Sequence, residues 1–463
     1  MSSEVAVEMQ GGKWKRYPAY RDSGVGWLGE VPEGWEVRKL KHIASVKPSN
    51  VDKKTVEGEH PVRLCNYVDV YYNDYITSDL DLMKATASVV EIEKFILREG
   101  DILITKDSES WDDIAVPAYV SSDLNDVLCG YHLTQIRPNT SLSNGEYLFR
   151  SFYARDINDQ FRVAATGVTR YGLGKYWIDN SLFLVPSKDE QRAIATFLDR
   201  ETGFIDTLIE KKERQIELLQ EKRAALISHA VTKGLDPDVK MKDSGVEWLG
   251  EVPEDWKLKR IKQIASKIGS GKTPKGGSEV YSESGVTFLR SQNIHFDGLR
   301  LDDVVFIKES IDEEMFSTRV FSNDVLLNIT GASLGRCSLV PDNFTPANVN
   351  QHVCIVRPIK KSIVPLFLYN VFASKVVQAQ IFSWENGSSR EGLTFPQIAN
   401  LVIVAPDDLE EQHSIAAFLD RETERIDTLT TKVSESISKL REYRTALISA
   451  AVTGKIDVRS EET

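Results

Sequence analysis

Cysteine and histidine are scarce, with four and seven residues in a chain of 463. Cys65, Cys129, Cys337 and Cys354 lie far apart, form no Cys-x-x-Cys pair and have no histidine at ligand spacing. That pattern excludes the usual zinc frameworks and predicts buried, reduced thiols. Long hydrophobic runs are also missing. Stretches such as Leu182-Phe-Leu-Val-Pro186 are far too short to cross a bilayer, and Met1 to Gly12 lacks the apolar core of a secretory signal. The expectation is a cytoplasmic protein with a frayed leader over residues 1–16 and no membrane partner. Positive charge is in deficit, the formal net charge being −12. Such a chain does not grip polyphosphate along its whole surface, so any nucleic-acid binding needs local patches or a more basic partner.

Catalytic signatures are missing too. Gly269-Ser-Gly-Lys-Thr273 resembles the end of a phosphate-binding loop, but Ser266 stands where that loop needs glycine and Pro274 where its helix would start. It reads as a flexible glycine-rich loop. The chain has no Asp/Asn-Pro-Pro-aromatic stretch of the kind amino-methyltransferases carry, no Gly-x-Gly-x-x-Gly loop behind a strand and no His-Glu-x-x-His. No constellation for covalent or metal catalysis is offered, and no cofactor or metal is expected on this chain.

What is present is a duplication. Asp22-Ser-Gly-Val-Gly-Trp-Leu-Gly-Glu-Val-Pro-Glu-Gly-Trp35 returns as Asp243-Ser-Gly-Val-Glu-Trp-Leu-Gly-Glu-Val-Pro-Glu-Asp-Trp256. Gln191-Arg-Ala-Ile-Ala-Thr-Phe-Leu-Asp-Arg-Glu-Thr202 returns as Gln412-His-Ser-Ile-Ala-Ala-Phe-Leu-Asp-Arg-Glu-Thr423, at the same offset. Two like halves therefore share a frame and hold different inserts, from about Val46 to Lys188 and from about Lys267 to Leu409. Short β-branched runs mark strands at 62–64, 101–105, 116–120 and 133–137 in the first insert, and at 286–289, 324–329 and 352–357 in the second. A helix is predicted inside each, over 145–161 and 364–382, making each insert an α+β globule. Landmarks still align in order: His132-x4-Arg137-Pro138 with His352-x4-Arg357-Pro358, and Gly167-x2-Arg170 with Gly387-x2-Arg390.

Each insert is followed by a long helical pattern. Ile205, Ile209, Ile216, Leu219, Leu226 and Ala230 recur at near-heptad spacing, and Ile426, Val433, Ile437, Leu440, Leu447 and Ala451 repeat the seam. A helix of about 40 residues is a rod of roughly 60 Å that cannot bury its stripe alone. The two are expected to pair antiparallel about a pseudo-two-fold axis, with the inserts at opposite ends. Ile216, Leu219, Leu226, Ile437, Leu440 and Leu447 form the expected spacer or partner interface. Arg223 and Arg444 occupy seam positions where a polar residue fixes register or meets a partner. Gly234 and Gly454 are placed to stop the helices. The expected segments are 17–188 and 243–409 for the globular domains, 189–233 and 410–457 for the helices, 234–242 for a linker and 458–463 for a tail.

Candidate DNA contacts gather in insert loops. Thr169, Arg170, Tyr171 and Lys175, and in the second half Ser388, Ser389 and Arg390, lie in or beside glycine-bracketed loops suited to phosphates or a bidentate guanine contact. A turn with a solvated arginine would look the same. Asn328, Thr330, Ser333 and Arg336 form a polar loop between strands, whose counterpart around Lys106 is far more acidic. Asn66 and Tyr67, like Arg290, Gln292 and Asn293, follow matching strands; their amides suit adenine edges, or they cap turns. Trp27, Trp35, Trp248 and Trp256 recur with the repeat and read first as packing anchors, second as a partner-protein surface.

The repeated Asp-Ser-Gly-Val-x-Trp-Leu-Gly-Glu-Val-Pro-Glu-x-Trp segment, with Glu190-Gln191-x2-Ile194-Ala195-x-Phe197-Leu198-Asp199 and its twin at Glu411 to Asp420, resembles the specificity subunit of type I restriction-modification systems. The resemblance spans about Tyr17 to Asp457. It implies two α/β target recognition domains, each reading one half of a split double-stranded DNA site, and an antiparallel coiled-coil spacer that sets the half-site distance. It also implies two methyltransferase subunits that bind S-adenosylmethionine and methylate adenine, and restriction subunits using ATP and Mg. None of that chemistry belongs to this chain. The alternatives are a single-chain restriction or methylation enzyme and a coiled-coil scaffold that binds only protein.

Overall fold

A computed structural model describes residues 14–344, 346–383 and 392–459. The chain forms two compact units, Met1–Glu213 with Glu435–Thr463 and Arg214–Ser434. The first contains a five-stranded sheet in the order Ala44–Pro48, Leu133–Pro138, Ile102–Thr105, Pro117–Val120 and Tyr75–Ile76. A second, four-stranded sheet in the same unit is built on His60–Cys65 and Leu124–Cys129. The second unit repeats the first four strands of the five-stranded sheet as Ala265–Ser270, Val353–Pro358, Val325–Asn328 and Cys337–Leu339. Its own second sheet is centred on Val286–Leu289 and Ala347–Val349. The strands expected from β-branched runs all fall within this framework.

Each expected helix inside an insert is two helices. Gly145–Ser151 and Arg155–Ala164 replace the first, and Pro365–Ala373 and Lys375–Ser383 the second. The second break has a plain cause: the Ser374 hydroxyl donates to the Val371 carbonyl at 2.6 Å and accepts the Val377 N–H at 3.4 Å, closing one helix and capping the next. An apolar pattern that continues through the break hides it from the sequence.

The insert ends are clasped. Glu36–Lys39 pairs antiparallel with Leu182–Val185 in the first unit, and Lys257–Arg260 with Val402–Ala405 in the second. The long helices start directly after these exits, at Lys188–Lys233 and Leu409–Val452. Acidic pairs, Asp189 with Glu190 and Glu410 with Glu411, complement the dipole of each first turn. Gly234 and Gly454 follow the C-terminal ends with φ of 78° and 72°, the left-handed geometry that favours glycine. The strand Met241–Asp243 starts inside the stretch expected as linker and pairs with Glu251–Pro253, as Tyr20–Asp22 pairs with Glu30–Pro32.

Segments of both long helices pack together within each unit, and their polar contacts run antiparallel. In the first unit Arg441 meets Glu213 at 2.8 Å, and Arg444 reaches Asp206 at 2.9 Å and Asp74 at 2.8 Å. Ile205, Leu447 and Ile448 are buried there, with Ile209 and Leu440 packed against them. In the second, Arg223 lies 3.2 Å from Asp427, and Ile227, Ala230, Ile415 and Leu419 are buried. Ile437 is buried, while Ile216, Leu219 and Leu226 are half-buried.

Two buried fixtures recur. Gln191 accepts the Asn144 N–H at 2.7 Å and donates to the Leu142 and Pro186 carbonyls at 3.0 and 2.9 Å. Gln412 accepts the Val364 N–H and donates to the Pro406 carbonyl, both at 2.8 Å. Deep in each main sheet, Asp101 holds Arg137 and Asp324 holds Arg357, each at 2.7 Å from Nε. Both aspartates also accept a backbone N–H, from Arg98 and Phe321. All four cysteines are free and buried, and burial pushes the Cys354 thiol up to about 12. Among the described residues no helix is long and apolar enough to cross a membrane, and no cluster is suited to a metal ion.

Asp101→Ala or Asp324→Ala strands a half-buried arginine, and either is expected to destabilise the chain by about 3 to 5 kcal/mol in urea unfolding. Gln191→Ala leaves a buried N–H and two carbonyls unpaired and is expected to cost about 2 kcal/mol or more in the same measurement.

Candidate nucleic-acid interface

In the first unit the strand Ile102–Thr105 continues through Lys106 into Asp107–Ser108, which pairs with Tyr171–Gly172. The neighbouring strand Leu133–Pro138 begins just after His132, whose carbonyl accepts the Lys106 N–H at 3.1 Å. Lys106, Asp107, His132 and the Arg170 loop therefore share one sheet end. Asp107 Oδ1 lies 2.6 Å from His132 Nδ1 and 3.1 Å from the Arg170 guanidinium. Lys106 turns inward: its ammonium donates to the Ser49 carbonyl at 2.8 Å and sits 4.6 Å from the Tyr131 ring centre. Burial lowers its pKa, against the pull of Asp107. The Arg170 loop is pinned by Gly167, where a Cβ would come within 1.9 Å of the Arg170 carbonyl oxygen.

Around this point the surface is aromatic. The Tyr67 hydroxyl is 3.2 Å from Ser108 Oγ, and its ring stacks on Tyr71 with centroids 5.6 Å apart. Tyr131 and Tyr72 are exposed, and so is Thr169; Tyr171 is half-buried. Lys175 pairs with Asp179 one helical turn on, at 2.6 Å. Asn66 is buried at the start of the helix Tyr67–Tyr72, giving its N–H to Asp69 at 2.7 Å and its amide to the Leu64 carbonyl at 3.2 Å.

The second unit builds the same position from different groups. Ile329 replaces Lys106, its N–H bonded to the His352 carbonyl at 3.0 Å. Thr330 replaces Asp107, with Oγ1 2.6 Å from His352 Nδ1. The histidine is braced on its other nitrogen by Gln351 at 2.9 Å, which in turn accepts from Thr273 at 2.6 Å. Beside it lies a cleft of about 370 Å³ lined by Ser291, Gln292, Thr330, Ser333, Arg336 and His352. Asn328 is buried beneath, its amide bonded to the Ser291 carbonyl at 2.8 Å and to Ser333 Oγ at 3.1 Å.

Asn293 is buried, accepting the Arg290 N–H at 2.9 Å and donating to the Arg300 carbonyl at 2.8 Å. Turn capping thus describes both Asn66 and Asn293. Arg290 donates to the Asp303 carbonyl at 2.8 Å, and Gln292 bonds the Asp303 carboxylate. Leu393 N–H bonds the Ile329 carbonyl at 2.8 Å, as Leu173 N–H bonds that of Lys106 at 2.7 Å. Ser388, Ser389 and Arg390 lie outside the described residues.

Sequence reading left out Asp107, Ser108, Tyr131 and His132 in the first site and Thr273, Gln351 and His352 in the second. The matched His-x4-Arg-Pro landmarks were the signal. The arginines mark the buried ion pairs, and the histidines stand five positions earlier at the strand start. Thr273 belongs to the glycine loop that resembles a phosphate-binding end. There Gly269 and Ser270 pair with Ile355 and Cys354 in the sheet, and Gly271 packs on the Val349 carbonyl, where a Cβ would sit at 1.7 Å.

Comparison with known proteins agrees with this duplicated architecture. Residues 32–218 and 253–439 each match the type I restriction modification DNA specificity domain. The type I restriction enzyme MjaVIII specificity subunit of Methanocaldococcus jannaschii is 25% identical, over 93% of this chain and 95% of the relative. The EcoBI specificity subunit of Escherichia coli is 24% identical over 63% of this chain and 62% of its own length. Among solved structures, a chain from work on complex assembly and conformational transition of the type I R-M system superposes with a TM-score of 0.66 at 16% identity, covering 91% of this chain and 98% of that one. The HsdS subunit from Thermoanaerobacter tengcongensis gives 0.51 at 17%, covering 92% and 98%. These relatives favour neither a single-chain enzyme nor a protein-only scaffold. With the specificity domain present twice and covering most of its length, the chain belongs to the family of type I restriction-modification DNA specificity subunits.

Proposed function

We propose that each unit reads one half of a bipartite double-stranded DNA site through the sheet end described above, and that the paired helices set the distance between half-sites. The chain performs no catalysis. It directs adenine methylation by two methyltransferase subunits holding S-adenosylmethionine, and cleavage by restriction subunits using ATP and Mg, in the cytoplasm. The observation that carries this reading is the paired site: one backbone position, built twice, presents Asp107, His132 and Arg170 in one unit and Thr330, His352 and Arg336 in the other. Carboxylate, hydroxyl and guanidinium groups select different base edges, so the two halves of the target differ.

Arg170, Arg336 and Arg390 with their serine and threonine neighbours are the proposed base and phosphate contacts, while Asn66, Asn293 and Asn328 shape the loops that carry them. The first long helix has 46 residues, about 69 Å at 1.5 Å per residue, room for roughly two turns of duplex at about 34 Å each. The acidic chain binds DNA weakly by itself, and basic partners closing around the duplex supply the missing cations.

Four outcomes test this. Sequencing methylated adenines in DNA modified by the assembled complex is expected to return a split motif. Exchanging residues 46–188 for those of a relative is expected to change one half-site only, whereas removing a heptad from both long helices shortens the gap and leaves both half-sites intact. A change of base preference after the heptad deletion would refute the ruler. Arg336→Ala is expected to weaken binding of the assembled complex about tenfold or more and to relax selectivity in the second half-site alone, read by DNA titration at fixed salt.

A further inference from the structure

The first unit fixes the aim of one arginine through its own side chains. Arg170 rides on a loop closed at its neck by Thr166 and Gly172, which exchange N–H to carbonyl bonds of 3.1 and 2.8 Å. The outgoing pair Tyr171–Gly172 is laid antiparallel on Asp107–Ser108, so the backbones carrying Arg170 and Asp107 are held together. Side chains continue the linkage. Asp107 Oδ1 lies 2.6 Å from His132 Nδ1 and 3.1 Å from Arg170 Nη2, which is itself 3.4 Å from His132 Nδ1. The Asp107 side chain is 18% exposed and that of Arg170 56%, so the anion is sheltered while the cation projects. Among the described residues no other group bonds the Arg170 Nε or Nη1, and the remaining donors of its planar fork are left for a ligand.

This pairing decides between the two acceptors that duplex DNA offers. A phosphate is drawn by net positive charge, and Asp107 cancels that of Arg170. Exposed Glu109 and Asp112, a few residues on, turn the local field further against phosphate. Neutral base edges are not repelled in this way, and a guanidinium steadied by a carboxylate presents its donors in a fixed direction. The base edge that takes two parallel donors is O6 with N7 of guanine; adenine sets one acceptor beside an amine. In the second unit Thr330 stands in the place of Asp107 and has no charge with which to hold a guanidinium. Arg336, on the wall of the neighbouring cleft, meets no carboxylate among the described residues.

We propose that Arg170 reads a guanine in the major groove of the first half-site, and that Asp107, held by His132, is the positioning residue that makes this reading strict, with no counterpart at Thr330 in the second unit. The inference rests on the reading of the sheet end given under Proposed function. An aspartate facing DNA weakens attraction to every duplex, so Asp107 lowers general affinity while it raises selectivity.

Titration of the assembled methyltransferase complex at fixed salt tests this, using duplexes that carry its methylated motif with the base pairs substituted singly. Arg170→Lys keeps the charge and loses the planar fork; it is expected to relax one G·C position of the first half-site about tenfold or more. Asp107→Asn is expected to relax the same position, to leave the second half-site unchanged, and to strengthen binding of unrelated duplex about twofold. A role confined to folding would weaken both kinds of DNA together. In an Arg170→Ala background Asp107→Asn is expected to cause no further loss of discrimination, since no guanidinium remains to be aimed. Replacing the guanine by 7-deazaguanine removes N7, and is expected to weaken the unsubstituted complex about fivefold or more and the Arg170→Ala complex not at all. Asp107→Asn that weakens cognate and unrelated DNA alike, or that leaves the guanine as strict as before while Arg170→Lys relaxes it, overturns the positioning role alone. Arg170→Lys that relaxes no G·C position overturns Arg170 as a guanine reader. An unsplit motif from the unsubstituted complex overturns the reading under Proposed function as well.

Discussion

A side-chain amide joins each helix to its module, and the geometry of the module depends on it. Gln191 and Gln412 are buried in the first turn of the long helices, yet their hydrogen bonds go to the insert and to the strand exit before the helix. An amide has both donor and acceptor, so one residue fixes three chain segments at once, and in a dry site each bond is costly to lose. Rotation of the helix start relative to the sheet would break all of them together. The sequence around this amide recurs between the halves, nine of the twelve residues of 191–202 returning at 412–423.

At those sheet ends the two units keep the backbone and change the chemistry. The N–H to carbonyl bond that ties Lys106 to His132 recurs between Ile329 and His352, and the loop return at Leu173 recurs at Leu393. Side chains riding on these fixed bonds differ in charge: an aspartate with an arginine on it in one unit, a threonine and a braced histidine in the other. Recognition surfaces of this kind are positioned by strand ends and diversified by what projects from them.

Much of this organisation is readable in the sequence, for a physical reason in each case. Strands such as Ile102–Thr105 and Val353–Pro358 open on apolar runs rich in β-branched residues because both faces are buried, and the long helices show their seam because one face alone is apolar. The break at Ser374 is concealed because the apolar pattern of Pro365–Ala373 runs on into Lys375–Ser383. Asn66, Asn293 and Asn328 have the side chains of base readers, but their amides are spent on backbone groups, a distinction that only burial reveals. His132 and His352 were visible as landmarks, but their partners Asp107 and Thr330 are distant in sequence and differ between the halves. Trp35 and Trp256 are packing anchors as expected, while Trp27 and Trp248, with the same residue type and the same repeat, stand outside.

The clasp of Glu36–Lys39 on Leu182–Val185, repeated by Lys257–Arg260 on Val402–Ala405, brings the two ends of each insert side by side. A chain whose ends are held at a fixed short separation can gain or lose residues between them at a cost that grows only logarithmically with length, about 0.6 kcal/mol per doubling. Insertions and deletions inside a module therefore do not propagate as a shift in the long helices. Evolutionary drift in loop length, which would shear an open architecture, is absorbed behind the clasp, so the modules are free to diverge while the frame between them keeps its register.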